Sequence, residues 1–248
     1  RALGRPVQAE MTLDLSAFSG ITEYQPEELQ LTAGAATPLA EIEAALSDKN
    51  QMLAFEPADY SALLGSKAEA TLGGVLACNL SGPRRIKAGA ARDHLLGFHA
   101  VSGRAEDFKA GGKVVKNVTG YDLCKLLTGS WGTLAAMHEV SLKVLPAPEL
   151  TRTVLIMGLD DARAVAAMGE ALASAHDVSA AAHLPAALAA RSAVPYVNEA
   201  GTAVTALRVE GIGPSVEARC RDLRNMFAPL GDGEELHRMY SRQFWQEI

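Results

Sequence analysis

Four short stretches between residues 70 and 146 combine glycine, small hydroxyl side chains and amides. They read A-T-L-G-G at 70–74, N-L-S-G-P-R-R at 79–85, K-N-V-T-G-Y-D-L-C-K-L-L-T-G-S-W-G-T-L at 116–134 and E-V-S-L-K-V-L-P at 139–146. Bare glycine backbone tolerates positive φ and admits close approach. One such turn says little. Four in one region predict a main-chain cradle for a large, flat, charged ligand.

The first stretch offers main-chain N–H groups at Thr71, Leu72, Gly73 and Gly74. Thr71 is placed to cap a short helix, and a helix N-terminus presents donors and partial positive charge to an anion. A helix cap with glycines for tight packing explains the same residues. Asn79, Ser81 and Gly82 match the donors and acceptors on the edge of a heteroaromatic ring, and equally a plain turn. Arg84, Arg85, Lys87 and Arg92 form a basic cluster that can clamp an anion or sit solvated. Asp93 can pair with Arg92 or cap a turn. Asp122 caps a helix in which Leu123, Leu126 and Leu127 face inward.

Short elements must position these groups. Leu13, Leu15, Ile21 and Tyr24 predict short strands around the Ser19–Gly20 turn, and Leu29 to Ala33 alternates like a half-buried strand. Thr37–Pro38 reads as cap and first residue of a helix whose apolar face is Leu39, Ile42 and Leu46. Met52 to Phe55 reads as a strand. Leu95 to Val101 and Ala105 to Lys109 form a hairpin, and Val140, Leu142 and Val144 alternate with Ser141 and Lys143. Pro146–Ala147–Pro148 is the linker. Beyond it the order is strand, helix, strand, strand, helix, strand, the ferredoxin-like pattern.

The 248 residues hold one large domain or two small ones. The apolar fraction of 48% marks a globular chain, and the net charge of −6 argues against indiscriminate nucleic-acid binding. No apolar run approaches the roughly 18 residues of a membrane span, and no secretory signal is visible. Cys78, Cys124 and Cys220 are far apart and read as buried, reduced thiols of a cytosolic protein. No histidine pair has metal-binding spacing, so no metal site is expected. Neither a G-x-S-x-G elbow nor a G-x-G-x-x-G fingerprint is present. His99 and His138 read as packing residues in strands.

The ordered set of motifs resembles the flavin-binding family of vanillyl-alcohol oxidase and p-cresol methylhydroxylase. Within it, the likeness is to the FAD-binding subunits of bacterial glycolate oxidases. It covers residues 3–148 and is densest at 71–146. The resemblance implies an α+β fold: a two-lobed FAD-binding domain of that type at 1–148, followed by a ferredoxin-like α+β lobe at 149–248 serving as substrate or cap lobe. The opening L-G-R-P resembles the end of a segment that follows a glycine-rich pyrophosphate loop in relatives. That loop is absent from this sequence, and the chain stops at F-W-Q-E-I inside an amphipathic segment, so a trimmed product with an incomplete second lobe is expected.

The resemblance implies FAD as cofactor. The implied cofactor-binding residues are Thr71, Leu72, Gly73, Gly74, Asn79, Ser81, Gly82, Arg92, Asp93, Gly132, Thr133 and Val140, the last beside the adenosine end. Asn117, Gly120, Tyr121 and Asp122 resemble a further family signature. Many relatives carry an acidic residue where this chain has Trp131, so no charge-based role is expected there. The implied reaction oxidises a 2-hydroxy acid to a 2-oxo acid, the flavin taking a hydride equivalent from the carbon bearing the hydroxyl. The implied partners are a larger flavoprotein subunit and an iron–sulfur subunit. The chain itself has no cluster-binding cysteine series. Its place would be the cytoplasm, or the inner-membrane periphery through those partners. Two alternatives stay open: a non-catalytic assembly subunit with little or no flavin, and a stand-alone flavin dehydrogenase for lactate or another alcohol. No catalytic residue is assigned; Arg152, His183 and Arg191 are substrate-side candidates by residue type alone.

Overall fold

The computed structural model describes residues 8–65, 69–112 and 120–248. The L-G-R-P opening at residues 3–6 and Asn117 lie outside them. The chain divides into two compact units: Arg1–Gly82 with Gly89–Ala147, and Pro83–Ala88 with Pro148–Ile248.

In chain order the elements are β1 (Ile21–Gln25), β2 (Gln30–Gly34), α1 (Leu39–Ser47), β3 (Gln51–Met52), α2 (Ser61–Leu64), α3 (Leu72–Cys78) and α4 (Arg85–Ala88). Then come β4 (Leu95–Ser102), β5 (Asp107–Gly111), α5 (Leu123–Leu127), β6 (Ala135–Lys143) and β7 (Leu145–Pro146). Of these, all but α4 belong to the first unit.

The first unit carries an antiparallel five-stranded sheet in the order β1-β2-β6-β4-β5. The apolar stripe of α1 (Leu39, Ile42, Leu46) joins Leu72, Val75 and Leu76 of α3, Cys124 and Leu127 of α5 and the inward residues of β2, β4 and β6 in one core. Strand β6 keeps Met137 and Val140 both inside because its register against β4 slips between the His99–Glu139 and Ala100–Met137 pairs. That bulge makes His138 the extra residue. Its ring packs on Phe18, with centroids 5.0 Å apart, and its Nε2 lies 3.3 Å from the Asp107 carboxylate.

Several sequence expectations change here. Leu13 and Leu15 are exposed or half-exposed and outside any strand, because no neighbouring strand pairs their backbone. The 52–55 strand shrinks to β3. Thr37 does not cap α1; the N-cap is Pro38, without a side-chain bond. The Thr37 hydroxyl is wholly buried and serves two turns instead: it accepts from the Gly20 N–H at 2.9 Å and lies 2.7 Å from the Gly34 carbonyl as donor. Leu126 is 58% exposed and does not face inward, since a helix of five residues buries only Cys124 and Leu127. Asp122 caps α5 as expected, accepting from the Lys125 N–H at 3.1 Å. That bond is the main reason its carboxyl titrates low. Cys78 is half-buried, while Cys124 and Cys220 are buried and free.

The second unit runs β8 (Leu150–Met157), α6 (Asp161–Ala173), β9 (Ala180–Leu184), α7 (Ala186–Ala189), α8 (Pro195–Asn198), β10 (Val204–Gly211), α9 (Gly213–Phe227), β11 (Gly233–His237) and α10 (Arg238–Glu247). Its antiparallel sheet has the order β11-β8-β10-β9. With β8, β9, β10 and β11 as first to fourth strand, this is the 4-1-3-2 order of the ferredoxin-like βαββαβ fold. Val154 and Ile156 of β8, with Leu207 and Val209 of β10, face α6 and α9. Leu155, Val204 and Ala206 face α7, α8 and α10. Both faces are covered, so β8 reads as a nearly continuous apolar run. Among the described residues no helix is long and apolar enough to cross a membrane.

Candidate functional site

The site is built around α3 in the first unit. Thr71 is the N-cap: its backbone is extended and its Oγ1 accepts from the Gly74 N–H at 3.3 Å. The next N–H groups turn inward. Leu72 donates to the Thr37 carbonyl at 3.0 Å and Gly73 to the Ala35 carbonyl at 2.7 Å. The donors at Leu72, Gly73 and Gly74 are therefore committed within the protein. The expectation that they stand free for an anion is corrected. Tertiary contact has claimed them, because α3 is stapled to the end of β2 and the chain that follows it.

The glycines there serve the same packing. A Cβ on Gly73 would lie 2.7 Å from the Ala35 Cβ, and one on Gly82 would lie 2.6 Å from the Glu56 carbonyl oxygen. At both positions the close approach is made by the chain itself.

The C-terminal end of α3 gathers the remaining predicted groups. Asn79 ends the helix with left-handed φ of 53°. Its Oδ1 accepts from the Arg92 N–H at 3.1 Å, and the Ser81 Oγ accepts from the Ala91 N–H at 3.0 Å. Asp93 Oδ2 accepts from the Ala90 N–H at 2.8 Å, so Asp93 caps its own turn. The α3 carbonyls of Leu76 and Ala77 are taken by the N–H groups of Gly129, at 3.0 Å, and Trp131, at 2.8 Å. The 79–82, 89–93 and 129–133 loops thus meet at one end of one short helix. Thr133 closes its own turn, with N–H and hydroxyl both donating to the Ser130 carbonyl. Gly132 is open: a Cβ there would meet nothing within 4 Å.

Val140 sits apart, in the middle of β6. It pairs with Ala33 on one side and Phe98 on the other, with its side chain fully buried in the core. Its main chain also lies between two paired strands, so the expectation that Val140 meets a cofactor finds no free group here. Tyr121 is 94% exposed and packs on no core.

Trp131 was legible only as a departure in residue type. It adopts φ of 58°, flanked by Gly129 at 87° and Gly132 at 72°. A bulky residue in that region costs about 1 kcal/mol or more. Its side chain is more than half exposed. The signal in the sequence was the bracket of glycines on either side.

The basic cluster separates. Arg92 stays with the α3 loops through its N–H. Arg84 and Lys87 pair inside the second unit. Arg84 binds Glu210 through Nε at 3.0 Å and Nη2 at 2.9 Å, and Lys87 binds Asp177. The expectation that Arg84 clamps a ligand anion gives way to a clamp on a protein carboxylate. Burial pushes the Glu210 carboxyl up. The hydrogen bonds from Arg84, the charges of Arg208 and Arg84 and the Ser179 hydroxyl outweigh it and hold it at about 2. Arg208 is itself buried, donating to Ser179 at 3.1 Å with its guanidinium 4.8 Å from the Trp245 ring centre. Arg152 is bound to Glu235 at 2.7 Å and Glu217 at 2.6 Å. His183 bonds Thr205 at 2.9 Å.

Residues 2–111 match the family model described as FAD binding domain. Among curated proteins, the chain is 48% identical over 146 residues to glycolate oxidase subunit GlcE of Escherichia coli (strain K12), covering 59% of this chain and 40% of that protein. It is 32% identical over 152 residues to glycolate oxidase subunit GlcD of Bacillus subtilis (strain 168), covering 61% and 31%. It is 40% identical over 77 residues to D-lactate dehydrogenase of Archaeoglobus fulgidus, covering 31% and 17%. The chain thus spans two fifths or less of these relatives. Among solved structures, alkyldihydroxyacetonephosphate synthase superposes with a TM-score of 0.75 at 17% identity, over 98% of this chain and 47% of that one. That likeness concerns the fold. The match to the FAD binding domain model thus spans residues 2–111, and the motifs within it are similar to those of the vanillyl-alcohol oxidase and p-cresol methylhydroxylase type.

Proposed function

We propose that this chain is the FAD-binding portion of a glycolate oxidase-type subunit, acting in the oxidation of a 2-hydroxy acid to a 2-oxo acid. Residues 1–148 serve as the FAD-binding domain and 149–248 as the substrate or cap lobe. A larger flavoprotein subunit and an iron–sulfur subunit complete the complex, which works in the cytoplasm or at the inner-membrane periphery through those partners. The observation that carries the reading is the convergence of the 79–82, 89–93 and 129–133 loops on the end of α3, in a chain whose residues 2–111 match an FAD binding domain.

The family's cofactor has two parts, and the residues fit them differently. A flavin ring needs short amide and hydroxyl groups beside open backbone and an apolar surface. Asn79 and Ser81, the open Gly132 and the exposed Trp131 supply that set. A pyrophosphate needs uncommitted N–H donors, and Leu72, Gly73 and Gly74 have none to spare. When bound, the flavin supplies a two-electron acceptor for the substrate C–H bond. The protein's part is to hold Asn79 and Ser81 at fixed positions. The N–H groups of Arg92 and Ala91 do this by occupying one acceptor on each side chain. The ring edge is thereby met by groups that need not reorganise.

The test is flavin absorbance and thermal stabilisation by FAD in the purified intact protein. A coloured protein stabilised by added FAD is expected. A colourless one whose melting FAD does not shift would overturn the reading. The committed donors at α3 favour a second reading, an assembly subunit with the same fold and no flavin. Its mark would be a stable complex with partner subunits in which this chain binds no FAD. Turnover by this chain alone with an artificial acceptor would instead make it a stand-alone dehydrogenase for lactate or another alcohol.

A further inference from the structure

Trp131 combines two unfavourable features. Its backbone is left-handed, where glycine or asparagine would sit without strain, and its indole is more than half exposed. Neither feature helps the fold. The hydrogen bond from its N–H to the Ala77 carbonyl uses the main chain alone, and any residue but proline can make it. A strained outlier maintained without benefit to packing points to use of the side chain.

The surroundings define the use. The same 2.8 Å bond fixes the Trp131 backbone against the last turn of α3, one residue before Cys78 and two before Asn79. The Asn79 Cβ lies 3.3 Å from where a Gly129 Cβ would be. A flat apolar indole therefore stands on a loop locked to the helix end that carries the Asn79 amide and the Ser81 hydroxyl. A face for stacking with polar groups close by is the chemistry that recognises a nitrogen heteroaromatic ring. The Asn79–Ser81 pair offers both donor and acceptor, as the flavin edge requires.

Resting on the FAD reading above, we propose that Trp131 is a binding residue for the isoalloxazine ring and stacks on it. An aromatic side chain at this position then favours the flat, neutral ring over a cationic or strongly hydrated ligand.

The experiment uses the intact protein and measures dissociation constants for FAD, riboflavin and ADP together with melting temperature, in the wild type, Trp131→Phe and Trp131→Gly. Trp131→Phe should bind FAD within about threefold of wild type. Trp131→Gly should bind FAD and riboflavin at least about tenfold more weakly, leave ADP affinity unchanged, and melt at or above the wild-type temperature because the strain is gone. A retained or raised melting point excludes simple unfolding as the cause of lost affinity. Equal FAD affinity in Trp131→Gly and wild type overturns the proposal and leaves the cofactor reading standing. A loss confined to ADP moves the indole to the adenine and overturns it as well. A wild type that binds no FAD removes both readings together.

Discussion

The helix end in the first unit and the charged centre of the second handle buried polarity in opposite ways. Around α3, apart from the Asp93 carboxylate, the groups are neutral amides, hydroxyls and main-chain N–H, satisfied by single hydrogen bonds to nearby loops or within their own turns. In the second unit, Arg84, Glu210 and Arg208 are formal charges taken out of water and held by one another. Neutral hydrogen bonds contribute about 1 kcal/mol each and can be exchanged for ligand contacts at modest cost. A buried ion pair tolerates no such exchange, since removing one partner strands the other. A surface that must receive a ligand is better made the first way, and one that must only hold its shape can be made the second.

The contrast is sharpened most by Glu210→Gln. It leaves two buried guanidiniums facing a neutral amide, and the second unit should lose about 3 kcal/mol or more, read as a lower denaturant midpoint. A change below about 1 kcal/mol would show the pair to be solvated and the contrast false. The same carboxylate gives a pH test. Its folded value of about 2 lies below the ordinary 4.5, so its contribution is full above pH 4.5 and fades as the pH falls through that window towards 2. Glu210→Gln should flatten this part of the acid-stability profile. Next in size is Gly73→Ala. The added methyl group meets Ala35 at 2.7 Å and should cost about 2 kcal/mol; a neutral result would mean that α3 is not stapled to the chain after β2. Smallest is Thr71→Ala, which loses one long cap bond and should cost about 0.5–1 kcal/mol by chemical denaturation. If it cost as much as Glu210→Gln, the first unit would depend on single polar groups just as the second does.

Local signals in the sequence were legible where local physics decided them. Thr71 before an apolar run and Asp122 before Leu123 cap the helices they precede, because capping involves neighbours three residues apart. The order of the second unit was legible from short apolar runs alternating with helical stretches and from its turn residues. Thr37 failed for the opposite reason: its partner Gly20 lies 17 residues away, and no pattern near Thr37–Pro38 records it. Arg84 and Glu210 are 126 residues apart, so the cluster at 84–92 looked like a ligand clamp. The commitment of the Leu72 and Gly73 donors likewise depended on where the chain after β2 passes. The left-handed backbone at Trp131 had a trace in its flanking glycines, but its exposure had none.

The pairing of β11 with β8 brings His237 opposite Arg152. Because the two strands run antiparallel, the chain enters the ferredoxin-like lobe and leaves its last strand within a few residues of one gate. Evolution can therefore lengthen, swap or excise this lobe as a cassette while leaving the host's ladder intact. The cassette runs on through α10, whose Phe244 and Trp245 fill the core of the same lobe.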